Sequence, residues 1–358
     1  MLTSLLQHLN ITHPTASETW RGWHILPITG GANNLVYRVT HRPEDYAVKF
    51  TVRDERDRAG REYAAFSALQ QAGLHIAPEP IWLDRERYTQ PVVVQSWIDG
   101  ETLDHPPHND AEWMALLEHY CAIHSVTPSR TAVALTTGVL NVSSGEAGKA
   151  LVREHAGKLP REAQAGPLRD LLARFEGWSP PAWPAPPRTL VRVDGNWRNF
   201  LRRGGNLASV DWEYSGWGDP VFELSELAVH PAYKGVSNSR WNQFTTAYDQ
   251  RRDDPTLALR VQTYTTIMLV WWVVRWARYL YEVPLGLDTR LVGRAEGWLA
   301  EVERQYHRYL AQAEAHLIGA GRTRRRKLGG AARRGQRHAR GQQHSQDDQC
   351  GKERCAFH

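Results

Sequence analysis

The sequence predicts an α+β chain of two lobes and a tail: a small β-rich N-lobe over residues 1–99, a larger helical C-lobe over 100–317, and a disordered basic tail over 318–358. Three observations carry this. Short β-rich runs bounded by turn residues fill Trp23 to Asp99 around a single helical pattern. From Asp110 onward the helical period dominates, except for one hairpin near residue 200. Beyond Ile318 the chain turns to Gly, Arg, Gln and His, with too few large apolar side chains to offset the entropy of ordering.

In the N-lobe, strands are expected at Ile25 to Ile28, Leu35 to Thr40, Tyr46 to Val52, Pro80 to Leu83 and Pro91 to Trp97, with a helix over Glu55 to Ala72. Asp99-Gly100 ends the pattern. Trp178 to Pro187 is Pro-rich and reads as an extended connector into a strand at Thr189 to Val193. Asp219-Pro220 supplies an N-cap and a first-turn proline for a helix over Val221 to Val229. Longer helices are expected over Leu257 to Glu282 and Gly293 to Leu317. The most apolar run, Ile267 to Val274, is too short to cross a bilayer and reads as a buried helix.

The net charge of +5 invites a nucleic-acid or membrane partner, but its location argues otherwise. Residues 321–358 hold eleven Lys or Arg against Asp347, Asp348 and Glu353, so the rest of the chain sums to −3. Neither membrane nor nucleic acid is expected as a partner, beyond weak contacts of the tail. Three cysteines, two of them in the tail (Cys350 and Cys355), form neither a disulfide framework nor a metal cluster. A cytoplasmic protein is expected, since the N-terminus lacks the basic start and apolar run of a secretory signal.

The most informative residues are Asp194, Asn199 and Asp211. Phe200 to Arg203 and Asn206 to Val210 form a hairpin about Gly204-Gly205, which sets Asn199 opposite Val210 and Arg198 opposite Asp211. Asn199 and Asp211 therefore share the open end of one hairpin, within reach of one divalent ion. Asp194 precedes them on the connecting loop. Asp-x4-Asn with a second Asp closing an apolar strand suits a proton acceptor and magnesium ligands around a transferring phosphoryl group.

Upstream, Gly30, Gly31 and Asn33 lie between two strands, where paired glycines let backbone fold over phosphates. Lys49 lies in an apolar strand. Glu62, Phe66 and Leu69 share a helix face, and a glutamate on an apolar face needs a partner such as Lys49. The strand from Val92 through Gln95 and Trp97 to Asp99 ends at the lobe boundary, where open backbone groups could bond adenine; an ordinary linker would look the same.

In this order, and with Cys121-Ala122-Ile123-His124-Ser125, Asp211-Trp212-Glu213-Tyr214 and Gly218-Asp219-Pro220, the chain resembles the aminoglycoside phosphotransferase and choline kinase superfamily over roughly residues 20 to 315. The resemblance implies a bilobal protein-kinase-like fold, ATP and Mg2+ as cofactors, and phosphoryl transfer to a small-molecule hydroxyl. Asp194 would be the catalytic acceptor of the hydroxyl proton. Asn199 and Asp211 would hold the metal, Lys49 and Glu62 the phosphates, and Gly30, Gly31 and Asn33 would cover them. Asp219 is read as structural. One departure stands out: the family usually has histidine two residues before the catalytic aspartate, and here that residue is Arg192. A guanidinium has donors but no acceptor. Two readings stay open, an active phosphotransferase and a catalytically inactive kinase-like nucleotide-binding protein.

Only Trp212 to Gly218 separate Asp211 from Asp219-Pro220, too few for the long activation segment on which protein kinases dock peptides. A small acceptor is expected instead. Trp212, Trp217, Trp241, Trp271, Trp272 and Trp276, with Glu213, Glu223 and Glu226, suit a cationic molecule of the choline, ethanolamine or aminoglycoside type. Trp271, Trp272 and Trp276 also have helical spacing, for which core packing is the plainer explanation.

Overall fold

Alternation of apolar and polar residues, with turn residues between the runs, builds the N-terminal half as one antiparallel sheet. The computed structural model describes residues 1–28, 34–288, 291, 294 and 296–319. The chain runs α1 (Leu2–Thr12), β1 (Glu18–Trp20), β2 (Trp23–Ile28), β3 (Leu35–His41), β4 (Glu44–Phe50), α2 (Arg58–Gln71), β5 (Pro80–Asp84), β6 (Val92–Ser96) and β7 (Glu101–Thr102). The strand order is β1-β2-β3-β4-β6-β5. Leu5, Leu6 and Leu9 of α1 cover one face, packing with Ile25, Val39, Val48, Phe50, Val92 and Val94. That alternation turns Lys49 and Gln95 to the opposite face, where α2 lies against β5 and β6.

The second half contains α3 (Asp110–His124), α4 (Gly145–Ala156), α5 (Gly166–Gly177), β8 (Thr189–Val191), β9 (Phe200–Arg203), β10 (Asn206–Ser209), β11 (Gly216–Gly218), α6 (Pro220–Val229), α7 (Asn238–Arg252) and α8 (Leu257–Glu282). A further helix, α9, covers 298–319. β9 pairs with β10 and β7, and β8 with β11. One core joins the helices and extends to Ala65, Phe66 and Leu69 of α2, so α2 is shared between the two halves.

Several bounds differ from expectation. α2 starts at Arg58 because Asp57, in the left-handed region, caps it by accepting from Gly60 N, while Asp54 accepts from Arg56 and Arg58 and holds the preceding turn. α8 as a whole is 26 residues, long and apolar enough to cross a membrane, so the expected shortness applies only to its centre. Its most apolar window is 67% buried, packed against α4, α5 and α6 as a core helix. Gly30, Gly31 and Asn33, and the tail from residue 320, lie outside the described residues.

Candidate active site

Lys49 is the hub of the cleft between the halves. It is 6% exposed, and its Nζ donates to Glu62 Oε2 at 2.9 Å and to Asp211 Oδ1 at 2.5 Å, with Glu213 Oε2 at 3.6 Å. Burial alone would lower the Lys49 pKa, but attraction to Glu62, Asp211 and Glu213 outweighs it and the net shift is upward. Burial raises the Glu62 carboxyl despite Lys49, whereas at Asp211 the lysine overcomes burial and the pKa falls. Glu62 Oε1 also accepts from Trp212 N at 3.3 Å, so one α2 side chain ties β4 to the segment after β10.

The hairpin has the expected register, with Ser209 opposite Phe200 and Val210 N donating to Asn199 O at 2.9 Å. Asp194 Oδ1 accepts from Asn196 N at 3.0 Å and Oδ2 from Asn199 Nδ2 at 2.6 Å. Burial raises the Asp194 pKa, with Arg192 opposing it. Val193 (φ 65°) and Asp211 (φ 62°) both hold left-handed backbone conformations that cost a branched or acidic residue of order 1–3 kcal/mol. Surrounding contacts enforce them. Glu223 Oε1 on α6 accepts from Arg192 N at 2.8 Å and Val193 N at 2.7 Å; its Oε2 bonds His124 Nε2 at 2.7 Å, and His124 Nδ1 bonds the Tyr248 hydroxyl at 2.9 Å.

Arg192 is fully buried between the two strained residues. Nη1 donates to Asp194 O, and Nη2 to Val210 O at 2.8 Å and Asp211 O at 3.3 Å, with the guanidinium 5.3 Å from the Phe200 ring centroid. A planar donor fork thus spans both acidic loops, a task that needs no acceptor. Arg192 therefore braces the loop in which the family's usual histidine is absent.

Asp211 and Asn199 fit a hard divalent cation. Because Asn199 uses Nδ2 toward Asp194, its amide oxygen is left as an oxygen ligand atom, the type that suits such a cation together with the Asp211 carboxylate. Glu62, Asp194, Asp211 and Glu213 also outnumber Lys49, Arg58 and Arg192, leaving negative charge for a cation to balance. Glu213 is held by Arg58 Nη1 and by Asn34 Nδ2 at 2.9 Å, so the residue just before β3 reaches this cluster.

Gln95 is buried on the cleft face beside Ala47, and its Oε1 lacks a partner among the described residues. The Trp97 backbone N–H donates to Asp45 O at 3.0 Å, and its ring stacks under Arg38, 4.4 Å from centroid to guanidinium.

On the far side of Asp194, Gly195 packs so closely on α6 that a Cβ there would meet Leu227 Cδ1 at 3.0 Å and Glu226 Oε2 at 3.3 Å. Glu226 is buried and its Oε2 has no partner among the described residues. Burial, then the Asp194 charge, push its pKa well above the carboxylate range. Trp272 stacks on Trp276 at 5.5 Å, and both lie 6.1 Å from Tyr309. Trp271 meets Trp272 edge-on at 5.1 Å, whereas Trp212, Trp241 and Glu213 make their contacts elsewhere. Trp212 is fully buried against Phe66 with Nε1 on Ser209 O, and Trp241 packs on Trp113. Glu213 and Glu223 are occupied as described. Asp219 caps α6 through Val221 N and pairs with Arg260 and Tyr264, as a structural residue would. The bracing contacts of Arg58 with Glu213, His124 with Glu223 and Glu223 with Arg192 could not be read along the chain, since they join residues 155, 99 and 31 positions apart.

Residues 24–259 match the phosphotransferase enzyme family. Comparison with curated proteins finds no match. Among solved structures, a Ralstonia eutropha protein assigned to the aminoglycoside phosphotransferases aligns at TM-score 0.63 and 14% identity, over 88% of this chain and 98% of that one. A choline/ethanolamine kinase family protein from Mesorhizobium loti aligns at 0.52 and 19%, over 87% and 99%. The aminoglycoside phosphotransferase APH(4)-Ia, in ternary complex with AMP-PNP and hygromycin B, aligns at 0.54 and 12%, over 88% and 98%. At these identities the likeness is one of fold. With the family match spanning most of the chain, this protein belongs to the phosphotransferase enzyme family and has the bilobal, kinase-like fold of its aminoglycoside phosphotransferase and choline kinase neighbours.

Proposed function

We propose that this phosphotransferase moves the γ-phosphoryl group of ATP, with Mg2+, to a hydroxyl of a small cationic molecule in the cytoplasm. The observation that carries this reading is the run of acidic and polar groups through the cleft: Asp211 bonded to Lys49, Asp194 bonded to Asn199, and Glu226 on the other side of Gly195. In this reading, residues 1–99 hold the nucleotide and 100–317 the acceptor. Lys49, fixed by Glu62, contacts the phosphates, and Gly30, Gly31 and Asn33 cover them. Gln95, with an unpartnered buried oxygen, faces the base, and the chain near Trp97 borders it. A bound Mg2+, held by Asn199 and Asp211, supplies charge neutralisation at the transferring group.

Asp194 orients the acceptor hydroxyl and takes its proton. Its carboxylate is fixed by Asn196 N and Asn199 Nδ2, so positioning precedes substrate arrival. A cationic acceptor is supported by Glu226 and the rings of Trp272, Trp276 and Tyr309, which combine a buried carboxyl group without a partner among the described residues, whose ionisation a cation would favour, with aromatic faces. The ternary complex of APH(4)-Ia with AMP-PNP and hygromycin B is consistent with nucleotide and acceptor binding together.

The test is Mg2+-dependent ADP release against choline, ethanolamine, aminoglycosides and neutral sugars. Turnover with a cationic acceptor is expected, and Asp194→Ala should lower it about 10²- to 10⁴-fold while nucleotide affinity stays within a factor of a few. Nucleotide binding without turnover on any acceptor would favour the inactive nucleotide-binding reading that Arg192 raises.

A further inference from the structure

Away from the cleft, the connector between β7 and α3 reads Asp104-His105-Pro106-Pro107-His108-Asn109, and Glu112 follows in the first turn of α3. Two prolines between the histidines restrict the backbone, and Asn109 caps α3 by accepting from Glu112 N at 3.0 Å. His105, His108 and Glu112 are thereby brought together, with one ligand atom of each within 4.8 Å of the others.

The short contacts in this cluster join atoms rich in lone pairs. His105 Nδ1 is 3.3 Å from His108 Nδ1 and 2.8 Å from Pro106 O, and His108 Nδ1 is 2.9 Å from Glu112 Oε2. If each imidazole gives its Nδ1 proton to the neighbouring oxygen, two N–H groups meet with no acceptor between them. A cation at the centre removes that conflict. Two imidazole nitrogens bound to tetrahedral zinc at about 2.0–2.1 Å stand about 3.3 Å apart, the separation found here. The 2.9 Å nitrogen–oxygen pair would open by about 0.4 Å to reach the same angle.

The surroundings suit a bound metal. Arg202 Nη2 on β9 donates to Glu112 Oε1 at 2.9 Å, which fixes the carboxylate, while Oε2 accepts from His108 N at 3.0 Å and keeps lone-pair capacity toward the His108 ring. Asp104 Oδ1 lies 3.3 Å from His105 Nε2 and orients that ring. The nearby cations are Arg202 and Arg240, the latter paired with Asp110, against Glu101, Asp104, Asp110 and Glu112. An open cleft of about 370 Å³, lined by both histidines, Trp113 and Arg240, gives access for a water as fourth ligand.

We propose that His105, His108 and Glu112 form a zinc site, separate from the magnesium ligands of the cleft, that staples the lobe connector to α3. Through Arg202, the site also reaches β9, whose partner β7 leads into the connector. Its role is structural, and turnover does not require it.

The experiment is Zn2+ titration of the full chain, stripped of metal by chelator, beside His105→Ala/His108→Ala and Glu112→Gln. His338, His344, Cys350, Cys355 and His358 of the tail can take Zn2+ in all three proteins, so the difference between them reads the site. The double variant is expected to lose one zinc equivalent per chain, and Glu112→Gln to bind that equivalent at least tenfold more weakly. Zn2+ should raise the thermal midpoint of the wild type, that of Glu112→Gln less at equal Zn2+, and that of the double variant not at all. Without metal, wild type and double variant should melt together, because His105 and His108 are not buried; Glu112→Gln, which also loses the Arg202 ion pair, is read by its own shift with Zn2+. Equal zinc stoichiometry in wild type and double variant, or an equal midpoint shift with Zn2+, would overturn the proposal.

Discussion

Arg192 is the residue whose removal tests the site most directly. It is the shared donor for the carbonyl oxygens of Asp194, Val210 and Asp211, and none of the three loses that donor without consequence. Arg192→Ala leaves buried acceptors unpaired and is expected to cost about 3–5 kcal/mol, the usual range for breaking a buried charged network. Arg192→Lys is more discriminating. A single ammonium keeps the charge but cannot span both loops, so turnover should fall about 10- to 100-fold with a smaller loss of stability. Steady-state kinetics beside thermal unfolding separate the two effects. Wild-type turnover in Arg192→Lys would show that the charge suffices and the fork is dispensable.

Between elements, α6 and α8 are joined by a buried polar cluster. Arg260 pairs with Asp219 and Asp254, and the Tyr264 hydroxyl donates to Asp219 Oδ2 at 2.8 Å. Arg260→Met leaves Asp219 buried beside Tyr264 alone and is expected to destabilise by about 3 kcal/mol or more, measured by denaturant midpoint at constant m-value. The α4–α8 contact adds a pH dependence. His155 stacks on Trp271 at 4.6 Å, and burial, then Arg278, lower its pKa from 6.5 to about 3. Between these values the unfolded chain binds a proton that the folded one does not, so stability falls as pH drops below about 6.5 and is unaffected above it. At about 1.4 kcal/mol per pKa unit, the contribution near pH 4 is on the order of 3 kcal/mol. His155→Phe should flatten the stability profile between pH 6.5 and pH 4 by that order; an unchanged slope would mean that other groups dominate.

On the scale of the whole molecule, charge and catalysis reside in different stretches of the chain. Residues 321–358 carry a balance of +8 and the remainder −3, while every candidate site residue precedes residue 310. Deleting 321–358 is expected to leave turnover and thermal midpoint unchanged and to make the protein acidic. A loss of more than about tenfold in kcat/KM would show that the tail takes part in the active unit. The halves themselves share α2, whose Glu62 faces Lys49 while Phe66 and Leu69 join the helical core. Movement between the halves must therefore bend the chain on either side of α2.

Local pattern determined a large part of this protein. The apolar run marked the strand that carries Lys49, with Glu62 as the partner that would turn it inward, the Gly204-Gly205 turn set the register that brings Val210 onto Asn199, and Asp219-Pro220 began α6. Each depends on residues a few positions apart, so each can be read along the chain. β1 and β7, at three and two residues, lack enough length for a period, and α1 lies outside the expected pattern. Tertiary structure alone decided that Glu223 would clamp the strained loop at Val193, that Glu226 would border Asp194, and that Arg192 would take over the brace. Those outcomes rest on buried charges finding partners across the fold, a choice made by desolvation and geometry between groups that no sequence period relates.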